Sequence, residues 1–241
     1  MRLFYAELMK IRTAPWTSVI LVLALLSIMV LGSSGISSDA RDGFVTDPEG
    51  DVVDLAGFAT IFALIIGVLL VTWDYRHGTI TQTFLAAPRR ERVLGAKFGT
   101  AIVLSALVVV VALAVGLFVA KLWLGDQFSL SNEHWEQMGR IAAGAILWGI
   151  LGLGLGATLQ TQVGALITAL VWFLVVEQIL VGLGSRIWNI GHYLPGQALT
   201  KFASVSPPEH LTRAEAGLLA VAYSVGLALV GLVSVLRRDV G

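Results

Sequence analysis

The sequence predicts an all-α polytopic membrane protein, and three observations carry that prediction. Apolar residues make up 56% of the 241-residue chain and charged residues only 13%, about half the ~25% of a soluble domain. Six apolar runs follow one another, at roughly residues 16–34, 55–73, 98–120, 141–159, 163–184 and 214–236, and each approaches the ~20 residues that a helix needs to cross a bilayer. Lysine and arginine are unevenly divided between alternate connecting segments. A single transmembrane domain over residues 1–241 accounts for all three. The chain has no cysteine, which excludes disulfides, thiolate metal sites and cysteine nucleophiles.

The first fifteen residues place Leu3, Phe4, Leu8 and Ile11 near one helical face, with Arg2, Glu7, Lys10 and Arg12 elsewhere. That pattern suits a short helix lying in the headgroup layer. The first apolar run follows. A charged start and the small residues Gly32 to Gly35 also suit a signal peptide, but the run with its flanks reaches spanning length and no soluble domain follows it. Ser37 to Asp54 is polar and acidic, with Asp39, Asp42, Asp47, Glu49, Asp51 and Asp54 against a lone Arg41. The second run ends in Trp73-Asp74-Tyr75-Arg76, the start of a strongly basic stretch that reaches Lys97. After the third run, Lys121 to Arg140 forms a polar connector in which Trp123 and Trp135 suit an interfacial belt. Only Gln160 to Gln162 separate the fourth run from the fifth. Arg186 to Arg213 contains Pro195, Pro207 and Pro208, yet its Trp188, Ile190, Tyr193, Leu194 and Phe202 are too apolar for a solvated connector. Part of it therefore reads as a re-entrant or interfacial segment.

Orientation follows from basic residues in short loops. With both termini inside, the inner segments hold ten Lys and Arg (Arg2, Lys10, Arg12, Arg76, Arg89, Arg90, Arg92, Lys97, Arg237, Arg238). The outer segments hold six (Arg41, Lys121, Arg140, Arg186, Lys201, Arg213), spread over longer loops. The expected location is the cytoplasmic membrane with both ends in the cytoplasm.

Few residues suit chemistry. His77, His134, His192 and His210 fall in connecting segments without ligand spacing, and no G-x-x-x-x-G-K-S/T phosphate loop occurs. No metal and no cofactor are expected in this chain, and no nucleic-acid partner. Glu177 is the acid set well inside an apolar run. A charge at mid-membrane costs ~3 kcal/mol on insertion scales, which the surrounding Leu, Ile, Val and Phe offset at ~0.3–0.6 kcal/mol each. It reads either as a translocation or gating residue or as an acid hydrogen-bonded locally with Gln178 that ties helices together. Gly152 and Gly156 form a G-x-x-x-G pair, suited to close helix packing. In the basic stretch, Thr79 and Gln82 have capping-box spacing. Pro88 stops the helix that follows, and Ile80 and Phe84 share one of its faces. A short helix with an apolar knob suits a docking element, and a basic loop that only fixes topology suits the same residues.

Several of these stretches together carry a resemblance to a known family. They are Ala6-Glu7-Leu8-Met9-Lys10-Ile11-Arg12, then Asp74-Tyr75-Arg76-His77-Gly78-Thr79-Ile80 with Pro88-Arg89-Arg90, the tight Gly156 to Gln162 connection, and Leu194-Pro195. Over essentially its whole length the chain resembles the permease subunits of ABC-2 type exporters, the ATP-binding-cassette class with six spans per subunit. The resemblance implies six transmembrane helices with an N-terminal interfacial elbow helix and a cytoplasmic coupling helix at Thr79 to Ala87, between spans two and three. Tyr75, Arg76, Gly78, Thr79, Ile80, Thr83, Phe84, Arg89 and Arg90 would then serve a separate ATP-binding-cassette ATPase subunit, two permease copies or paralogues pairing with two ATPases. It implies a bacterial exporter, no enzyme in itself, with re-entrant helices between spans five and six; an apolar lumen with few charges favours a hydrophobic or amphipathic substrate. The compact first outer loop departs from relatives with large extracellular domains. An ion-coupled secondary transporter using Glu177, and a non-transporting membrane protein that binds partners, are the alternatives.

Overall fold

A computed structural model of the chain describes residues 15–79, 90–187, 190–203 and 211–237. The expected elbow helix (residues 1–14) and most of the coupling helix (residues 80–87) lie outside the described residues. All described regular elements are helical. In chain order they are α1 (Pro15–Arg41), α2 (Pro48–Leu55), α3 (Ala59–Arg76), α4 (Arg90–Leu124), α5 (Asn132–Leu159), α6 (Gln162–Val171), α7 (Glu177–Ile187), α8 (Pro195–Ala203) and α9 (Arg213–Arg237). A 3₁₀ turn at Ala56–Phe58 joins α2 to α3, and a π-helical turn at Trp172–Val176 joins α6 to α7.

Six helical stretches are long and apolar enough to cross a membrane: Val19–Arg41, Pro48–Arg76, Arg92–Gln127, Asn132–Leu159, Gln162–Leu183 and Arg213–Arg237. Their number matches the expectation, and several are longer than the apolar runs. Helix geometry does not stop where hydrophobicity does, because backbone hydrogen bonds are satisfied within the helix in either environment. The acidic segment thus contains α2, started by Asp47, whose Oδ1 accepts from Gly50 N at 3.1 Å, with Pro48 at its first turn. The polar connector 121–140 is largely the end of α4 and the start of α5. Ser131 Oγ accepts from His134 N at 3.4 Å while His134 Nδ1 accepts from Ser131 N at 3.2 Å, so both orphan amides are used. Thr212 and Glu215 start α9 in the same way.

Because the chain reverses between spans, one end of the bundle carries Arg76, Arg90, Gln160 and Arg237, and is here called the loop face. The other carries Arg41, Asp47, Gly125, Ser131 and Arg213, and is called the acidic face. Span four, α5, lies at the centre: 61% of its most apolar stretch is buried, against 17% for span one and 11% for span five. Its two main neighbours are α3 and α9. Polar residues of the acidic face bind across helices. Gln137 Nε2 donates to Asp54 Oδ1 at 2.8 Å, Ser129 N donates to Glu49 Oε1 at 2.8 Å, and His134 Nε2 lies 3.2 Å from Asp47 Oδ1. Arg41 donates to the Trp123 carbonyl and lies over the Trp123 ring.

The central contacts are backbone against backbone. A Cβ added to Gly67 of α3 would fall 2.1 Å from Gly149 O, and one on Gly152 would fall 2.2 Å from Leu64 O. Gly156 lies against Val68 O in the same row. On the other side of α5, Gly154 abuts Leu227 and Ala228, and Gly231 of α9 abuts Gly154 O. Gly152 and Gly156 are thus used within the chain, where small residues let two helix backbones approach. At the loop face α5 ends on Gln160, which takes a left-handed φ of +57° and donates its N–H to Gly156 O at 2.9 Å, and only Thr161 precedes α6.

Gly67→Ala and Gly152→Ala are each expected to force α3 and α5 apart and to cost on the order of 1–3 kcal/mol. Gly95→Ala, where an added Cβ meets no atom within 4 Å, should leave stability equal or higher by about 0.5–1 kcal/mol, as helical Gly→Ala changes do. Thermal unfolding of the purified variants in one detergent measures the difference.

Candidate functional site

Two buried charged centres stand out, one at each side of the apolar interior. The first lies where α3 runs out into the basic loop. Asp74 and Lys97 are each 1% exposed, and Lys97 Nζ lies 2.6 Å from Asp74 Oδ2. Lys97 Nζ also donates to Leu70 O at 2.8 Å, placing the cation against a carbonyl in the last turns of α3, where the helix dipole favours positive charge. On the other side of the carboxylate, Thr79 Oγ1 donates to Asp74 Oδ1 at 3.1 Å and Thr79 N donates to Asp74 O at 3.0 Å. Gly78, at φ +64°, turns the chain so that Thr79 can reach back. The two ends of the loop, residues 75 to 96, are therefore clamped by one ion pair.

Around that clamp the predicted coupling residues separate into two groups. Tyr75 packs against the buried cluster that includes Val71, Leu94, Ala101 and Val235, so it belongs to the loop-face core. Arg76 is exposed, and its Nη1 donates to Gln162 Oε1 at 3.0 Å, linking the loop base to the connection between spans four and five. His77 stacks on Trp73 with ring centroids 4.3 Å apart. Gly78 and Thr79 form the turn just described, and Arg90 opens α4. Ile80, Thr83, Phe84 and Arg89, with the Thr79–Gln82 capping pair, lie outside the described residues. The Asp74–Lys97 pair was not anticipated, because both residues sit in the stretch that reads as a solvated basic loop. The available signal was helical continuity: an acid on the last turn of one helix and a lysine two turns inside the next can meet in an antiparallel hairpin.

The second centre is Glu177, 1% exposed. Its partner is not Gln178. Oε1 accepts from Trp172 Nε1 and from Gly196 N, both at 2.9 Å, and Oε2 accepts from Gln197 N at 3.1 Å. The two backbone donors are first-turn amides of α8, which have no partner inside their own helix. Glu177 therefore caps α8 from a different helix, at the positive end of its dipole. The π turn at Trp172–Val176 lies directly before Glu177, and the Trp172 indole reaches its carboxylate five residues on. Gly196 allows the approach: a Cβ there would fall 2.5 Å from Glu177 Oε2 and 2.8 Å from Phe173 Cδ1. α8 itself packs within the bundle against α5 and α9, with Ala198 and Leu199 fully buried. Sequence spacing could not reveal this cap, since the three donors come from positions five, nineteen and twenty residues away.

Phe173, whose ring meets Trp148 edge-on at 4.6 Å, lines two cavities. One, of about 420 Å³, lies between spans four, five and six and is almost wholly apolar, lined by Leu151, Trp172, Ala222 and Leu227 among others. The other, of about 350 Å³, lies between α3, α5, the π turn and α8 and includes Asp54 and Glu177 in its wall. Among the described residues no group of three or more His, Cys, Asp or Glu could hold a metal ion.

The clamp predicts an asymmetric response. Asp74→Asn or Lys97→Met leaves a buried charge without its counter-ion and should cost ~3–5 kcal/mol. The double change Asp74→Leu with Lys97→Met removes both charges and should recover most of that loss, read by thermal unfolding. For Glu177→Gln the amide offers one acceptor oxygen, so one of the two α8 amides would face an NH₂ group. A loss of about 1–3 kcal/mol follows, with faster hydrogen exchange at Gly196 and Gln197 as the local readout.

No protein-family model matches this sequence, nor does any curated protein.

Proposed function

We propose that the chain is the membrane-spanning permease subunit of an ATP-binding-cassette exporter of the ABC-2 type, carrying a hydrophobic or amphipathic substrate. ATP hydrolysis takes place on a separate ATPase subunit that docks on the basic loop, two permeases pairing with two ATPases. Both termini then lie in the cytoplasm and the acidic face lies outside, in a bacterial plasma membrane. The observation that carries this reading is the clamped loop. A segment that only fixed topology would need no buried Asp74–Lys97 pair beneath it, whereas a docking element must be anchored to the spans that it moves. Arg76 and Gln162 add a link from the same base to spans four and five, so a displacement of the loop has a direct physical route to four helices. Within this reading residues Thr79 to Ala87 form the coupling helix, with Ile80 and Phe84 as the apolar anchors and Thr83, Arg89 and Arg90 at its rim.

The ion-coupled alternative rests on Glu177 as a proton or cation site. Its carboxylate takes three N–H donors and caps α8, a structural use that accounts for the residue without transport chemistry. The partner-binding alternative shares the docking surface and differs only in lacking transport.

Buried apolar anchors dominate small interfaces, worth about 2 kcal/mol or more each when truncated, while rim charges act mainly on encounter rate. Phe84→Ala and Ile80→Ala are each expected to release the ATPase during co-purification, with transport falling in parallel and membrane level near normal. Arg89→Ala should have a smaller, salt-dependent effect. Retention of full ATPase binding and full transport by both alanine variants would demote the loop to a topology signal.

A further inference from the structure

The 350 Å³ cleft has a chemical polarity that follows from the direction of its helices. α3 and α5 run from the acidic face inward, and α6–α7 run outward toward it. Of the lining residues, Leu64, Trp148, Leu170 and Phe173 therefore lie deep, while Asp54, Gln178 and Thr200 lie nearer the acidic face. The deep part is aromatic and aliphatic. The shallow part is polar, and among the described lining residues the charged ones, Asp54 and Glu177, are acids and none is basic.

Among the described residues no ion pair joins either carboxylate to a cation. Glu177 is held by three neutral N–H donors, which satisfy hydrogen bonds but leave its charge uncompensated apart from the α8 dipole. Asp54 takes one bond from Gln137 Nε2 on Oδ1. Gln137 is itself 1% exposed, and its Oε1 is buried with no hydrogen-bond partner. A buried acceptor without a donor carries a desolvation cost, and here it sits on the amide that holds Asp54. The cleft thus combines two acids with an apolar, aromatic interior, and the amide that holds Asp54 stands behind its wall. An anion is repelled by such a wall. A bare metal ion would find an apolar chamber and no cluster of three ligands among the described residues.

We propose that this cleft binds an amphipathic organic cation, an ammonium or phosphonium with an apolar body, its charge toward Asp54 and Glu177 and its body against Phe58, Trp148 and Phe173. Aromatic faces favour cations as well as apolar surface. The ligand supplies the positive charge that the protein omits. Its access is from the acidic face or laterally from the bilayer, so the site works on one protomer without a second copy. The inference does not depend on ATPase docking, because binding needs neither ATP nor a partner.

Tetraphenylphosphonium and tetraphenylborate have near-identical shape and opposite charge, and equilibrium binding of each to the full chain in zwitterionic nanodiscs separates charge from hydrophobicity. Saturable phosphonium binding above that of empty discs is expected, with borate failing to compete. Asp54→Asn keeps the acceptor for Gln137 and should weaken phosphonium binding about tenfold with an unchanged melting temperature. Trp148→Leu should weaken it as well. Equal competition by borate, or wild-type phosphonium affinity in folded Asp54→Asn, overturns the proposal. Should Asp54→Asn fail to fold, the wild-type preference for phosphonium over borate decides alone: its presence supports the cation site and its absence removes it.

Discussion

Everything in this bundle is arranged around the approach of α3 to α5. In lipid there is little hydrophobic gain in bringing two apolar helices together, so contact depends on dispersion and on close fit. Gly67, Gly152 and Gly156 remove the side chains that would hold the two backbones apart, Gly154 with Gly231 does the same for α9, and Gly149 leaves room for Ser105 of α4. Span four is thereby enclosed on two sides, and spans one and five are left at the periphery with most of their surface exposed. The glycines cost helix propensity, about 1 kcal/mol each relative to alanine. That cost is acceptable where every backbone group is already committed to helical hydrogen bonds, because unfolding a span inside a bilayer is far more expensive. Hydroxyls in the spans follow the same constraint. Thr72, Thr100, Thr158 and Ser234 each donate to the carbonyl four residues back.

On that rigid centre two of the buried charged centres, at different depths, each join elements that glycine packing does not reach. Asp74 and Lys97 join α3 to α4 at the loop face, where the hairpin would otherwise be free to splay. Glu177 joins span five to α8, whose nine residues would make a marginal helix without an external cap. Both are satisfied differently. The ion pair brings its own counter-charge and a backbone carbonyl, whereas Glu177 relies on neutral donors and a helix terminus. A paired charge is best read as an anchor, and an uncompensated one as a centre that still attracts positive charge. This difference is what separates the anchoring proposed for the loop base from the cation binding proposed for the cleft.

The two centres also suggest how motion could be shared. The loop base is connected to spans two and three through the ion pair and to spans four and five through Arg76 and Gln162. Span five carries the π turn and Phe173, which forms part of the wall of both cavities. π turns interrupt the regular ladder and concentrate at functional positions. A shift of span five relative to span four would thus alter the cleft and the apolar cavity together, while α8 follows through its bond to Glu177.

The sequence by itself determined the membrane class, the number of spans and the positions of the polar breaks, because hydrophobicity over about twenty residues is a local property that the bilayer reads directly. The G-x-x-x-G pair and the oddly apolar stretch before span six were also legible, since small residues and misplaced aromatics are visible one residue at a time. The start of α9 was not read, although Thr212 and Glu215 have the capping-box spacing. Helix starts were missed likewise at Ser131, where a histidine closes the box, and at Asp47, where an acidic segment reads as a loop. What only the tertiary structure decided is pairing over distance. Nothing in the composition of the basic stretch shows that Asp74 turns inward to Lys97. Nothing near Glu177 shows that its partners are the amides of Gly196 and Gln197. Those contacts exist because glycine packing around α5 fixes where the flanking helices stand, and a charge buried by that packing must bind whatever donor the fold delivers within about 3 Å.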